Sequence, residues 1–269
     1  MKIIAIIPAR YHSKRFPGKP LALIAGIPMI QHVYQRSKKC AELDEVYVAT
    51  DDIRIYNCVK GFGGKVIMTV KDHPSGTDRI FEATEKIKTD DQDIVVNIQG
   101  DQPVFRPSII SDLIRPLKDD PKIPMSTLMY KIKKDTDIQD INKVKVVFDS
   151  NKYALYFSRL PIPFCRDKNI ANGYYKHIGV YAYRKKFLRT FTKLSWGILE
   201  KKEKLEQLRA LEHGFKIKLI ETVYDSIEVD TPENIKIVEE KLFGDEKNLE
   251  KNRVESNFNG PVVGFLLPH

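Results

Sequence analysis

"KIIAIIPARYHSKRFPGK", residues 2 to 19, is the stretch on which the reading of the fold turns. Residues 3 to 7 are apolar without a break, and Pro8 stops the run. A strand covered on both faces reads this way, as in a parallel sheet with helices on each side. Arg10, Lys14, Arg15 and Lys19 then follow with no acid among them. In open parallel sheets, ligands bind where strands end and loops lead into helices. The cationic loop therefore stands where a polyanion would be met. Backbone amides of a Gly-containing turn bind phosphate oxygens, and fixed cations neutralise the remaining charge. Arginine offers a planar fork to phosphate and lysine a point charge. A triphosphate would use several such groups at once. From these residues alone, a solvated basic loop is the plainer alternative.

Outward from this stretch, strands and helices alternate. Residues 45–49 (EVYVA), 65–69 (KVIMT) and 93–98 (DIVVNI) read as strands. Residues 28–40, 52–60 and 77–88 between them read as helices, with Gly61 to Gly64 as a break. This alternation argues for a Rossmann-like α/β fold, a mostly parallel sheet flanked by helices. The middle differs. Residues 125–132, 143–149, 153–158 and 177–184 read as strands with short turns, and 159–174 as a loop rich in Pro, Asn and Gly. A smaller mixed-sheet subdomain spanning about 125–200 is expected there. Residues 199–213 read as one charged amphipathic helix ended by Gly214. Residues 216–220 and 226–229 read as late strands, and 231–243 as the final helix. The expected division is one domain over 1–244 and a tail over 245–269.

Composition sets the outer limits. The 269 residues are 42% hydrophobic, enough for a substantial core. The formal net charge of +9 favours anionic partners. Nucleic acid would call for aromatics interleaved with cations on one surface. The tyrosines instead fall in apolar strand patterns, so a basic nucleic-acid-binding module is the remote alternative. Cys40, Cys58 and Cys165 have no paired spacing and are expected to be reduced thiols. No apolar run approaches the ~20 residues of a membrane span. A cytoplasmic protein is expected. The motifs G-x-x-x-x-G-K-[ST] and G-x-G-x-x-G are absent from the first loop.

Several separated blocks carry a family resemblance: "IIPARYHSKRFPGKPL" (6–21), "HPSGTDR" (73–79), "VVNIQGDQP" (95–103), "VKVVFDSNKYALYFSR" (144–159), "KHIGVYAYR" (176–184), "LEQLRALEHG" (205–214) and "VDTPENI" (229–235). In this order they resemble the 3-deoxy-manno-octulosonate cytidylyltransferase (CMP-Kdo synthetase) family of sugar nucleotidyltransferases. CMP-sialic acid synthetases, a neighbouring alternative, share the first loop but not the later blocks. The resemblance implies that CTP and Kdo, or its 8-amino analogue, give a CMP-sugar and pyrophosphate with Mg²⁺, for lipopolysaccharide synthesis. It also implies a homodimer.

The resemblance also implies roles. Arg10 and Lys19 would be catalytic, holding the triphosphate, with Ser13, Lys14 and Arg15 adding phosphate contacts. Ala9, Ser75, Gly76 and Gln99 would receive the cytosine nucleotide. Arg79, Gln102, Arg159, His177, Tyr183, Glu206 and Gln207 would form the sugar pocket. Asp101 and Asp230 would bind Mg²⁺, which takes one or two carboxylates plus phosphate oxygens and waters. On sequence alone Asp230 fits a helix N-cap and Ser75-Gly76 an ordinary turn. One departure stands out: the family pattern leads to Gly-Asp-Glu-Pro, and this chain has Gly100-Asp101-Gln102-Pro103.

Overall fold

The apolar run from Ile3 forms the central strand. A computed structural model describes residues 1–13, 15–166 and 173–242. In it β1 (Ile3–Ala9) is buried on both faces. After the first loop, β2 (Leu23–Ile24) and β3 (Ile27–Pro28) make a separate two-stranded hairpin. The main sheet takes β4 (Glu45–Thr50), β5 (Val66–Met68), β6 (Ile94–Asn97), β7 (Met125–Lys131), β10 (Tyr175–Arg184) and β11 (Lys218–Thr222). Between β7 and β10, β8 (Lys145–Phe148) and β9 (Ala154–Ser158) pair with each other antiparallel. The helices are α1 (Met29–Lys38), α2 (Ile53–Gly61), α3 (Gly76–Lys86), α4 (Ser108–Asp119), α5 (Asp135–Gln139), α6 (Lys185–Phe191), α7 (Ile198–Glu203) and α8 (Leu208–Glu212). A last helix, α9, covers residues 234–242.

The sheet order is β11-β7-β10-β6-β1-β4-β5. Pairings of β1 with β4 and β6, of β4 with β5 and of β11 with β7 are parallel. Only β10, wedged between β6 and β7, runs against them along this path. Alternation along β1 divides the core. Ile3, Ala5 and Ile7 pack on one face with Val33 of α1 and Ile109 and Leu113 of α4. Ile4 and Ile6 pack on the other with Ile80 and Ala83 of α3 and Leu188 of α6. This period-two division of a doubly buried strand makes a three-layer sandwich.

Three elements differ from the sequence reading. First, β7 and β10 belong to the central sheet, so the excursion reduces to β8, β9 and their loops, tied to β10 through Lys176 and Lys145. Second, the single helix read over 199–213 is two, α7 and α8, parted by Lys204 in the left-handed region (φ 54°). The break buries Leu205 and Gln207, which a continuous helix would not direct the same way. Third, residues 226–229 form only an isolated bridge, Ile227 to Val104. The helix α4, with an apolar face of Ile109, Ile110, Leu113, Ile114 and Leu117, was not anticipated. Gly214 does follow α8 with φ +77°. Among the described residues Cys40, Cys58 and Cys165 take part in no disulfide. Among the described residues no helix is long and apolar enough to cross a membrane. The tail over 245–269 lies outside the described residues.

Candidate active site

Parallel pairing brings the carboxyl ends of β1 and β6 to one rim, with Ile6 opposite Asn97. The cationic loop leaves from Ala9 and the segment Gln99-Gly100-Asp101 leaves from β6. Gly100 is required at their meeting point. A Cβ there would sit 3.0 Å from the Pro8 carbonyl oxygen, tighter than backbone allows without a shift. Gly18, at φ +72°, makes the turn that brings Lys19 back toward this rim.

There the two distant aspartates converge. Lys19 Nζ lies 2.7 Å from Asp101 Oδ2 and 3.8 Å from Asp230 Oδ1. Arg15 donates to Asp230 Oδ1 at 2.9 Å. The Asp230 carboxylate thus faces the first loop. The helix-start function falls to Asn234, whose Oδ1 accepts from the amides of Asp230 and Thr231. The Val229 amide donates to the Asp101 carbonyl at 2.9 Å, which locks the two acidic segments together. These are hard oxygen donors on one side of a phosphate-type loop, and they fit Mg²⁺. Among the described residues no group of three or more His, Cys, Asp or Glu could hold a metal by itself.

Beside this rim lies a cavity of about 390 Å³, walled by Gly76, Gln99, Asp101, Tyr183, Glu206 and Gln207 among others. Five expected nucleotide or sugar residues and one expected metal ligand therefore share a wall. Gln99 is fixed by donating to the Gly179 carbonyl (2.9 Å) and to Asn97 Oδ1 (3.3 Å). Ser75 caps α3: its Oγ accepts from the Asp78 amide and donates to Asp78 Oδ2 at 2.7 Å. The turn reading of Ser75 therefore holds, and it positions Gly76 at the cavity. Arg10 reaches across to the His73 carbonyl at 3.0 Å, joining the first loop to this turn. Glu206 Oε1 and Gln207 Nε2 are buried with no hydrogen-bond partner. Such atoms are costly unless a ligand satisfies them. Burial pushes the Glu206 carboxyl above its ordinary range and the Tyr183 phenol well above its own.

Four residues assigned to the sugar pocket stand behind the wall. Arg79 is fully buried in α3. Its guanidinium bonds Thr69 and the Val70 carbonyl and faces Asp51 at 3.3 Å, so it scaffolds the loop after β5. Arg159 donates to the carbonyls of Glu203 (2.7 Å) and Ile141 (3.1 Å), pinning the left-handed turn at Lys204. His177 bonds Thr127 and packs edge-on to Phe157. Burial, reinforced by Lys176, drives its pKa to about 3, so its ring is neutral. Gln102 is buried and donates to Glu228 Oε1 at 3.0 Å. Ser13 sits in the loop as a hydrogen-bond acceptor for the Phe16 amide at 3.4 Å. Lys14 lies outside the described residues.

The cavity wall also contains Thr77, Lys204 and Glu228, which the sequence reading did not single out. Glu228 directly precedes the "VDTPENI" block, so its place in the sequence was the available signal. Burial, then the charge of Asp101, raises its carboxyl above the ordinary range, against the Gln102 bond.

The comparison with known families decides the assignment. The cytidylyltransferase family profile matches residues 4–220. The chain belongs to the cytidylyltransferase family. It is similar to the 3-deoxy-manno-octulosonate cytidylyltransferase of Syntrophus aciditrophicus, at 56% identity over 90% of this chain and 98% of the relative. It is also similar to the 8-amino-3,8-dideoxy-manno-octulosonate cytidylyltransferase of Shewanella pealeana, at 53% identity over 91% of this chain and all of the relative. Among solved structures, a CMP:2-keto-3-deoxy-manno-octonic acid synthetase complexed with CTP superposes with a TM-score of 0.86. It is 43% identical and covers 91% of this chain and 100% of that one. A 4-diphosphocytidyl-2C-methyl-D-erythritol synthase from Anaerococcus prevotii shares the fold alone, with a TM-score of 0.60 at 17% identity. As a cytidylyltransferase, the chain is a nucleotidyl-transferring enzyme with a mostly parallel α/β sheet.

Proposed function

We propose that this cytidylyltransferase transfers CMP from CTP to Kdo or its 8-amino analogue, for lipopolysaccharide synthesis. The sugar's anomeric hydroxyl gives up its proton to solvent as its oxygen bonds to the α-phosphorus, the bond from that phosphorus to the α,β-bridging oxygen breaks, and pyrophosphate leaves with that oxygen. The observation that carries this reading is the meeting of Lys19, Asp101 and Asp230 beside a cavity with unsatisfied polar atoms. Such transfer is mostly positioning and charge stabilisation. Arg10, Ser13, Arg15 and Lys19 bind the triphosphate and offset charge on the departing pyrophosphate. Gly76 and Gln99 receive the base, with Ala9 at the strand end beside them. Tyr183, Glu206 and Gln207 face the sugar, and Arg159 acts through the Lys204 turn it pins. Asp101 and Asp230 would hold Mg²⁺, which would supply charge neutralisation for the triphosphate.

A homodimer fits the same reading. Leu155, Leu160 and Phe164 on and after β9, and Ile198 on α7, are exposed apolar side chains. Glu203 of α7 accepts from Ser158 Oγ and the Arg159 amide, so the two segments adjoin. Exposed apolar side chains on adjoining segments are what a second copy of the chain would cover. Sedimentation should give twice the chain mass, and Phe164→Asp should give one.

The test of the reaction is a panel of nucleoside triphosphates against Kdo, 8-amino-Kdo and sialic acid, scored by pyrophosphate release. Release with CTP and an octulosonic acid is expected. Release only with sialic acid, or with no sugar, would overturn the reading.

A further inference from the structure

The neutral residue at position 102 has a partner that changes what the cavity selects. The isolated bridge between Val104 and Ile227 and the bond from the Val229 amide to the Asp101 carbonyl zip residues 101–104 against 227–229. Glu228 is thereby set opposite Gln102, which donates to it at 3.0 Å across 126 positions of sequence. Glu228 lines the cavity, while Gln102, 1% exposed, lies behind it.

Charge in the cavity is then unbalanced. Asp101, Glu206 and Glu228 face it, against Lys204. Asp101 has Lys19 at 2.7 Å. Among the described residues neither Glu206 nor Glu228 has a cationic side chain within ion-pairing distance, whereas the nearby Glu200 is fully occupied by Arg209 at 2.6 and 2.9 Å. An acid sugar whose other groups are all hydroxyls brings these two carboxyls no cation. A ligand bearing an ammonium group as well as a carboxylate neutralises them, and an unpaired charge in a closed site is what penalises the wrong ligand.

We propose that this cavity is built for an amino sugar acid, and that Glu228, oriented by Gln102, is a specificity-determining carboxylate for its ammonium group. The inference rests on the cavity being the sugar site of the reaction proposed above. It takes the 8-amino octulosonic acid over the 8-hydroxy compound. Gln102 is a positioning residue, since it reaches the ligand only through Glu228.

The test is kcat/KM for 8-amino-Kdo and for Kdo, measured by pyrophosphate release at saturating CTP and Mg²⁺. The wild-type ratio should favour the amine by about tenfold or more, the scale of one charge-assisted hydrogen bond. Glu228→Gln should bring the ratio to within about threefold of unity, the residue of a lost charge contact. Gln102→Ala, which keeps the acid and frees it, should lower the ratio part of the way, and it serves alone if Glu228→Gln does not fold. Equal or hydroxyl-favouring turnover in the wild type overturns the inference and leaves the cytidylyltransferase reaction standing. A high ratio unaltered in both variants removes Glu228 from the assignment. No pyrophosphate with either sugar would instead be a failure of the reaction reading itself.

Discussion

Lys19 and Asp101 meet through a 2.7 Å ion pair across 82 positions of sequence. The lysine side chain is only 16% exposed, so solvent screens the pair weakly. Asp230 joins from the far end of the chain at 3.8 Å. The pairing places a cation and two hard-oxygen donors at the rim where the first strand ends. A triphosphate entering there would meet both kinds of group at once.

Lys19→Ala should reduce kcat by about 10²–10³, the usual effect of removing one group aimed at developing charge. The KM for CTP should change far less. Steady-state pyrophosphate release measures both. An unchanged kcat would take Lys19 off the list of catalytic groups.

Arg15 is 63% exposed and bonded to Asp230. Arg15→Ala should therefore act on binding, raising the KM for CTP about tenfold, the order of a charge-assisted phosphate contact. Equilibrium CTP titration of the variant checks it. Unaltered affinity would make Arg15 only a tether for Asp230.

The sequence showed the architecture through one property, the unbroken apolar run of β1, which needs cover on both faces. It showed Asp101 and Asp230 because each follows a strand-like run within a motif block. It did not show Glu228, because "SIEV" reads as an alternating strand and nothing local ties 228 to 102. Arg79, Arg159 and His177 matched motif positions, yet residue type does not say whether a side chain faces a cavity or braces its wall. The break at Lys204 was hidden too. LEKKEKLEQLRALEH keeps helical periodicity across a residue whose left-handed backbone is held by Arg159 from another element. Tertiary contacts override local propensity in such cases.

Glu82 predicts an acid-dependent loss of stability. Burial alone would raise its carboxyl, but bonds from Lys86 and His73 and from the Val70 amide outweigh it and hold the pKa at about 2. The folded state thus keeps this carboxylate ionised below the 4.5 of the unfolded chain. Its contribution is fully present above pH 4.5 and is lost as pH falls through about 2. Glu82→Gln should lower the Tm at pH 7 by about 2–4 °C, the shift from roughly 1 kcal/mol in a chain of this size. The gap from wild type should narrow below pH 4.5 in thermal melts. A constant gap across that range would contradict it.

Arg209 tests the frame beneath the sugar cavity. It is 2% exposed and forked onto Glu200, itself 6% exposed. Removing one partner leaves a buried charge alone, which costs about 3–5 kcal/mol. Glu200→Gln should therefore lower the chemical-denaturation midpoint sharply, while Glu200→Gln with Arg209→Met should recover part of the loss. Two additive losses would contradict the pairing.

The proposed role of Asp101 and Asp230 is to hold the divalent ion of the transfer reaction. Its most direct test is a Mg²⁺ titration of pyrophosphate release in wild type and Asp101→Asn at saturating CTP and sugar. The variant should need at least about tenfold more Mg²⁺ for half-maximal rate, as expected on losing one of two anionic ligands. A titration that overlays the wild-type curve would contradict it.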